Sequence, residues 1–283
     1  MKSIKNQVLH RSGEKPILAD VFYREEGKPK PVVVFSHGFK GYKDWGAFNA
    51  MAAYFAERGF VFVKFNFSHN GGTLEVPVDF PDLESFAQNT YSKELADLRF
   101  VIDWVCRQTL IPQADCDLDA VYLMGHSRGG SISLIQAAED DRVKKLITLA
   151  AVSDFSSRFP QGAEFERWKA QGRGYILNSR TQQQLPIDFS FYEDFVQHAE
   201  RLNIERAAAH LHIPFLIVHG MQDQTVTASE ACDLHCWAPH SELHFIEGAS
   251  HSFDTTQPQQ DPSLPEAFLE LLQCTTAFFN KPI

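Results

Sequence analysis

Ala120-Val121-Tyr122-Leu123-Met124-Gly125-His126-Ser127-Arg128-Gly129-Gly130 is an apolar run that ends in a serine framed by glycines, and the chain beyond it spaces Ile132, Ile135 and Ala138 along one side of a helix. A strand running straight into G-x-S-x-G and then into a helix is the setting of a nucleophile elbow. So tight a turn requires a strained backbone at Ser127, and Gly125 and Gly129 leave out side chains that would collide across it. The hydroxyl is then expected at the carboxyl edge of a sheet, over a helix amino terminus whose N–H groups favour developing negative charge.

Outward from this stretch, Pro31–Ser36, Phe60–Phe65, Leu146–Ala151, Phe215–His219 and Leu243–Ile246 are further short apolar runs, and Ile4–Tyr23 reads as a strand pair turning at Ser12-Gly13. Helical spacing marks Trp45–Glu57, Glu94–Val105, Ala228–Cys236 and Ala267–Phe279. Continuous apolar strands suit burial on both faces. Their alternation with helices predicts an α/β fold, a mostly parallel sheet with helices on both faces, as one domain over residues 1–283. Residues 152–210 break the rhythm: they hold no strong strand but many aromatics, among them Phe155, Phe159, Trp168 and Phe191. We expect a largely helical cap insertion there, since the segment is too aromatic for a disordered linker.

Composition excludes several functions. The 283 residues carry 26 Lys+Arg against 36 Asp+Glu, a net charge of −10 with no basic run, which disfavours nucleic acid and anionic membranes as partners. The amino terminus lacks a secretory pattern and no apolar stretch reaches about 18 residues, so no membrane span is expected. Five cysteines, an odd set, indicate reduced thiols in the cytoplasm, serving as packing residues. Cys232, His235 and Cys236 lack a second ligand pair, so no metal is expected. Neither Asn70-Gly71-Gly72 nor the elbow matches a nucleotide-binding loop, so no cofactor is expected either, and the Asn70 loop is read as a border of the pocket.

A serine hydroxyl needs a base, and the base an orienting acid. Asp223 stands just beyond the apolar strand Phe215–Val218, and His251 stands likewise beyond Leu243–Ile246. Among the later histidines, His235 falls in a helix, His240 in a turn and His244 in a strand, which leaves His251 as the base. Asp154 is the rival acid because it follows the strand ending near Ala151; loop context favours Asp223. Two N–H donors must face the oxyanion. The amide of Arg128, next to the nucleophile, is one, and the amide of Phe39 in His37-Gly38-Phe39 is the other. His37 itself is read as shaping that loop without moving protons.

The set HGF at Phe39, GHSRGG at Ser127, HGMQD at Asp223 and GASH at His251 resembles the α/β-hydrolase superfamily of serine hydrolases over nearly the whole chain. Within it the pattern is similar to carboxylesterases of the cinnamoyl/feruloyl esterase and dienelactone-hydrolase-like groups, and to the catalytic domains of acylaminoacyl-type peptidases. The resemblance implies an α/β-hydrolase fold and a cofactor-free serine esterase acting on a small-molecule ester of a small or medium, including aromatic, acyl group. Amide cleavage, or a ligand-binding member of the fold with little turnover, are the alternative functions.

Overall fold

The computed structural model describes residues 1–259, 261 and 263–282. Its main sheet has eight strands in the order β1-β2-β4-β3-β5-β6-β9-β10. These are β1 (Lys2–Leu9), β2 (Ile17–Tyr23), β3 (Lys30–Ser36), β4 (Val61–Phe65), β5 (Cys116–His126), β6 (Val143–Leu149), β9 (Phe215–Gly220) and β10 (Glu242–Ile246). β2 runs antiparallel to both of its neighbours, and every pair from β4 to β10 is parallel. The architecture expected from the alternating strands and helices is therefore present.

Burial on both faces explains why these strands read as unbroken apolar runs. In β3, Val32 and Val34 point into one core layer and Val33 and Phe35 into the other, all four at 0% exposure. Each such side chain contributes about 1.5–3 kcal/mol when fully buried, so a one-residue slip of register has no favourable alternative. One layer is completed by α3 (Tyr91–Arg107), α4 (Arg128–Glu139), α7 (Ile204–Ala209) and α8 (Ala228–Trp237), the other by α1 (Phe48–Glu57) and α9 (Glu266–Phe279). Thr90 starts α3 three residues before the spacing of Leu95 and Leu98 would place it, its hydroxyl accepting from the Lys93 N–H at 3.2 Å.

Between β6 and β9 lie α5 (Gly162–Gln171), β7 (Arg173–Asn178), β8 (Gln183–Asp188), α6 (Ser190–Gln197) and α7. The expectation of a segment without strands needs correction: β7 and β8 form an antiparallel hairpin of their own, paired from Arg173↔Asp188 to Asn178↔Gln183. It rests on α2 (Leu83–Ala87), where Leu185 packs with Tyr42, Phe80 and Phe86. The aromatics form a local core in which Phe159 meets Trp168, Phe191, Tyr192 and Phe195.

The cysteines need a second correction. All five are free, but Cys232 and Cys236 are exposed, one turn apart on the outer side of α8, and so pack nothing. Among the described residues no helix is long and apolar enough to cross a membrane.

Candidate active site

β5 delivers Ser127 to the sheet edge in the backbone expected of an elbow, with φ 54 and ψ −127. The glycines permit it: a Cβ on Gly125 would lie 2.2 Å from the Gly129 carbonyl oxygen, and one on Gly129 would lie 2.3 Å from the His37 carbonyl oxygen. Either methyl would force the turn open. The Ser127 N–H donates to the Leu149 carbonyl at 2.8 Å, tying the elbow to the end of β6.

Two further loops meet this edge. After β9 the Gln222 N–H donates to the Ala249 carbonyl at 2.9 Å, so the loop carrying Asp223 is sewn to the loop carrying His251. The His251 ring nitrogen Nδ1 lies 2.7 Å from Asp223 Oδ2, while Asp223 Oδ1 accepts from the N–H groups of Thr225 and Val226 at 2.8 and 2.9 Å. Burial would push this carboxyl upward, but hydrogen bonds from His219 and His251, the His251 charge and the Val226 amide together hold it well below the usual carboxylate range. Asp223 is therefore ionised at neutral pH and fixes the imidazole with its proton on Nδ1. The rival acid, Asp154, is exposed and spends its carboxylate on the Ser156 amide and hydroxyl and the Ser157 amide.

The loop after β3 closes over Ser127 from the other side. A Cβ on Gly38 would come within 2.9 Å of the Ser127 Cβ, which is how closely the two segments approach. His37 holds this loop: its Nδ1 donates to the Gly38 carbonyl at 2.9 Å and its Nε2 accepts from the Phe67 N–H at 3.2 Å. Burial pushes its pKa down to about 4, so the ring is neutral and makes both bonds at once. The Phe39 N–H has no acceptor among the described residues. The Arg128 N–H opens α4, where an amide has no intrahelical partner. The Asn70 loop, expected to border the pocket, instead lies behind: Asn70 Nδ2 donates to the Gly41 carbonyl at 3.3 Å, and Gly71 is wedged against Phe80 and Phe86.

Ser127, His251, Phe39 and Arg128 line one cavity of about 970 Å³, walled by Phe48, Phe159, Trp168, Tyr175 and Phe191. Sequence reasoning passed over several residues here. His126 Nε2 donates to the His251 carbonyl at 2.9 Å, and burial pushes its pKa to about 3, so a permanently neutral ring pins the backbone of the histidine loop. His219 Nε2 donates to the Val226 carbonyl at 2.9 Å and lies 3.4 Å from Asp223 Oδ2. Glu94, on the buried side of α3, meets Arg128 Nη1 at 3.3 Å. His126 and His219 carried a signal, their places inside G-x-S-x-G and HGMQD; Glu94 is brought in by tertiary packing.

Known proteins share this arrangement of elements. Est1E from Butyrivibrio proteoclasticus, in its structure with ferulic acid bound, superposes with a TM-score of 0.68 at 20% identity, covering 96% of this chain and 97% of that one. A putative dienelactone hydrolase from Klebsiella pneumoniae gives 0.63 at 15% identity, covering 99% of both chains. By sequence, putative esterase/lipase 2 of Mycoplasma pneumoniae is 25% identical over 241 residues, 77% of this chain and 81% of the relative. The profile of the alpha/beta hydrolase family matches residues 33–261, four-fifths of the chain, and with the elbow, the sheet order and the converging loops it establishes that this protein belongs to the alpha/beta hydrolase family.

Proposed function

We propose that the protein is a serine hydrolase that cleaves carboxylic esters through an acyl-enzyme intermediate. The observation that carries this reading is the meeting on one cavity of a serine in a left-handed elbow (φ 54) and a histidine whose Nδ1 lies 2.7 Å from a buried carboxylate. Ser127 Oγ attacks the carbonyl carbon as its proton passes to His251 Nε2, and Asp223 stabilises the imidazolium that results. The negative charge on the former carbonyl oxygen accepts from the amides of Phe39 and Arg128. Collapse of the adduct breaks the ester C–O bond, and the proton on His251 goes to the departing alcohol. Water, activated in turn by His251, releases the acid. No cofactor takes part.

The ester preference is supported by the kinship with putative esterase/lipase 2 and with the ferulate-binding Est1E. Residues 152–210 act as a cap in this reading, because Phe159, Trp168, Tyr175 and Phe191 from that segment wall the cavity above Ser127 and favour aromatic or medium acyl groups over acetyl. The test is labelling by a fluorophosphonate, followed by a panel of chromogenic esters of rising acyl length and aromaticity beside amide analogues. Labelling at Ser127 and faster turnover of the larger esters are expected. A folded protein that resists the label is instead a binding protein.

A further inference from the structure

The charges that line the cavity are Lys40, Arg128, Arg158, Arg167, Arg180 and Glu164, an excess of cations inside a protein whose net charge is −10. Of these, Arg158 is paired with Glu230 and Arg180 with Asp79, while Arg167 has no ion pair among the described residues but is exposed on α5, where water solvates it. Arg128 and Lys40 are different.

The Arg128 side chain is only 10% exposed, and among the described residues its sole hydrogen bond goes to Glu94 at 3.3 Å. A guanidinium has five N–H donors, so most of its donor capacity is left for the cavity that Arg128 lines. Its plane is set among aromatic faces instead, with Cζ 4.0 Å from the Phe39 ring centroid, 5.0 Å from Tyr91 and 5.2 Å from Phe191. Lys40 Nζ stands 6.0 Å from the same Phe39 centroid, so the two cations are no further apart than the sum of those two distances. Lys40 has no carboxylate within 4.0 Å among the described residues, and burial pushes its pKa down without an opposing charge. Counting Glu94 against Arg128 leaves Lys40 as the uncompensated charge of this pair, beside the Phe39 ring in the cavity that Ser127 lines.

We propose that Arg128 and Lys40, both beside the Phe39 ring, recognise a carboxylate carried by the substrate apart from its ester group. The favoured substrates are monoanionic esters, half-esters of dicarboxylic acids or esters of carboxylated aromatics. A single negative charge matches the one uncompensated cation of this pair, whereas a phosphate dianion exceeds it. The planar carboxylate takes the unused donors of the guanidinium fork, and its scaffold stacks on Phe39 and Phe191. Both residues select the substrate; neither side chain takes part in bond cleavage. The inference rests on Ser127 being the nucleophile, and the experiment separates the two.

Two pairs of isosteric esters are compared: methyl 4-carboxycinnamate against methyl 4-carbamoylcinnamate, with the charge in the acyl half, and 4-carboxyphenyl acetate against 4-carbamoylphenyl acetate, with the charge in the leaving half. In at least one pair the anionic ester should be preferred in kcat/KM by about tenfold or more, as expected for a charge-assisted hydrogen bond out of water. Lys40→Met should cut that ratio by about threefold to tenfold while Lys40→Arg retains it, and Arg128→Met should cut it further. The ratio within one pair is insensitive to a general loss of folded enzyme, and the Lys40 variants stand if Arg128→Met fails to fold. Equal or lower rates for the anionic member of both pairs, in a protein that turns over the neutral esters and is labelled at Ser127, would overturn the carboxylate subsite and leave the hydrolase standing. A preference that survives Lys40→Met and a folded Arg128→Met would overturn the assignment to these residues. No turnover of any ester together with no labelling would overturn the hydrolase reading, and this one with it.

Discussion

Where β2 pairs with β4, Asp20 receives Lys43 at 2.9 Å, Lys64 at 2.8 Å, Lys5 at 3.1 Å and the Asn6 amide at 2.8 Å, while Asp44 takes Lys43 and Lys64 again, each at 2.5 Å. Beside Ser127, Arg128 has one carboxylate at 3.3 Å and Lys40 has none within reach among the described residues. Both clusters are shielded from water, and both include a cation whose burial lowers its pKa, Lys64 in the first and Lys40 in the second. The first is finished: cations and carboxylates share each other's bonds, and Asp20 is held well below the usual carboxylate range by its lysines despite its burial. The second is unfinished on the side that opens to a cavity. A protein can tolerate buried charge in either form, but only the unfinished one leaves donors for something that arrives from outside.

Separating the two clusters is an experimental matter, and the largest expected effect lies at the open site. Ser127→Ala should lower ester turnover by about 10⁴-fold to 10⁶-fold with the urea midpoint unchanged. Turnover within about tenfold of the parent, contaminating esterase excluded, would remove Ser127 from the reaction. Next, Asp223→Asn should lower turnover by up to about 10⁴-fold, and Asp154→Asn far less, because the latter carboxylate only caps Ser156 and Ser157. The opposite ranking would move the acid to the loop after β6. At the closed cluster the effect is on stability rather than chemistry: Asp20→Asn leaves Lys43 and Lys64 to share Asp44, one buried cation then being uncompensated, and should lower unfolding free energy by about 3–5 kcal/mol in urea. Turnover per folded molecule should match the parent; if it collapses, the closed cluster is part of the site and the contrast fails.

The smallest effect concerns His37. Unfolded, this imidazole takes up a proton below its ordinary 6.5, whereas folded it stays neutral down to about 4. Unfolding therefore binds a proton across that window, and the stability it contributes is complete above pH 6.5 and shrinks as pH falls toward 4. The advantage of the parent over His37→Asn should fall by about 2 kcal/mol between pH 6.5 and about pH 5, at about 1.36 kcal/mol per unit. Urea melts at the two pH values measure it, and a constant difference would mean that the folded ring accepts protons freely.

The sheet was legible because strands buried on both faces leave unbroken apolar runs, as in Val32–Phe35. Strand ends were less so: β5 begins at Cys116, where it pairs with Lys30 across a register shift, and nothing apolar marks that start. The β7–β8 hairpin escaped notice because β7 turns no large apolar side chain toward the main core. Tyr175, Ile176 and Leu177 are all exposed, so neither alternation nor a continuous run appears. At the site, Ser127, Asp223 and His251 stood out as punctuation after strands, and the fold gathers them at one edge. Glu94 did not, since a glutamate early in a helix reads as solvent-facing; its role depends on Arg128 lying across the gap. Cys232 and Cys236 misled for the converse reason, a residue type usually buried on a helix side that turns outward.

The segment between β6 and β9 departs from and returns to strands that are hydrogen-bonded neighbours, Leu146↔Phe215 through Leu149↔Val218. Because these strands are parallel, it leaves at Leu149 and returns at Phe215, one strand over and three residues back, about 11 Å away, and the entropy of closing such a loop rises only slowly with its length. The part of the stretch before α7, which itself covers the sheet, can therefore lengthen, shrink or be exchanged without disturbing a single pairing of the sheet or the spacing of Ser127, Asp223 and His251. Selection on what enters the cavity and selection on the reacting groups act on different pieces of chain, so a lineage can change its diet while inheriting its chemistry intact.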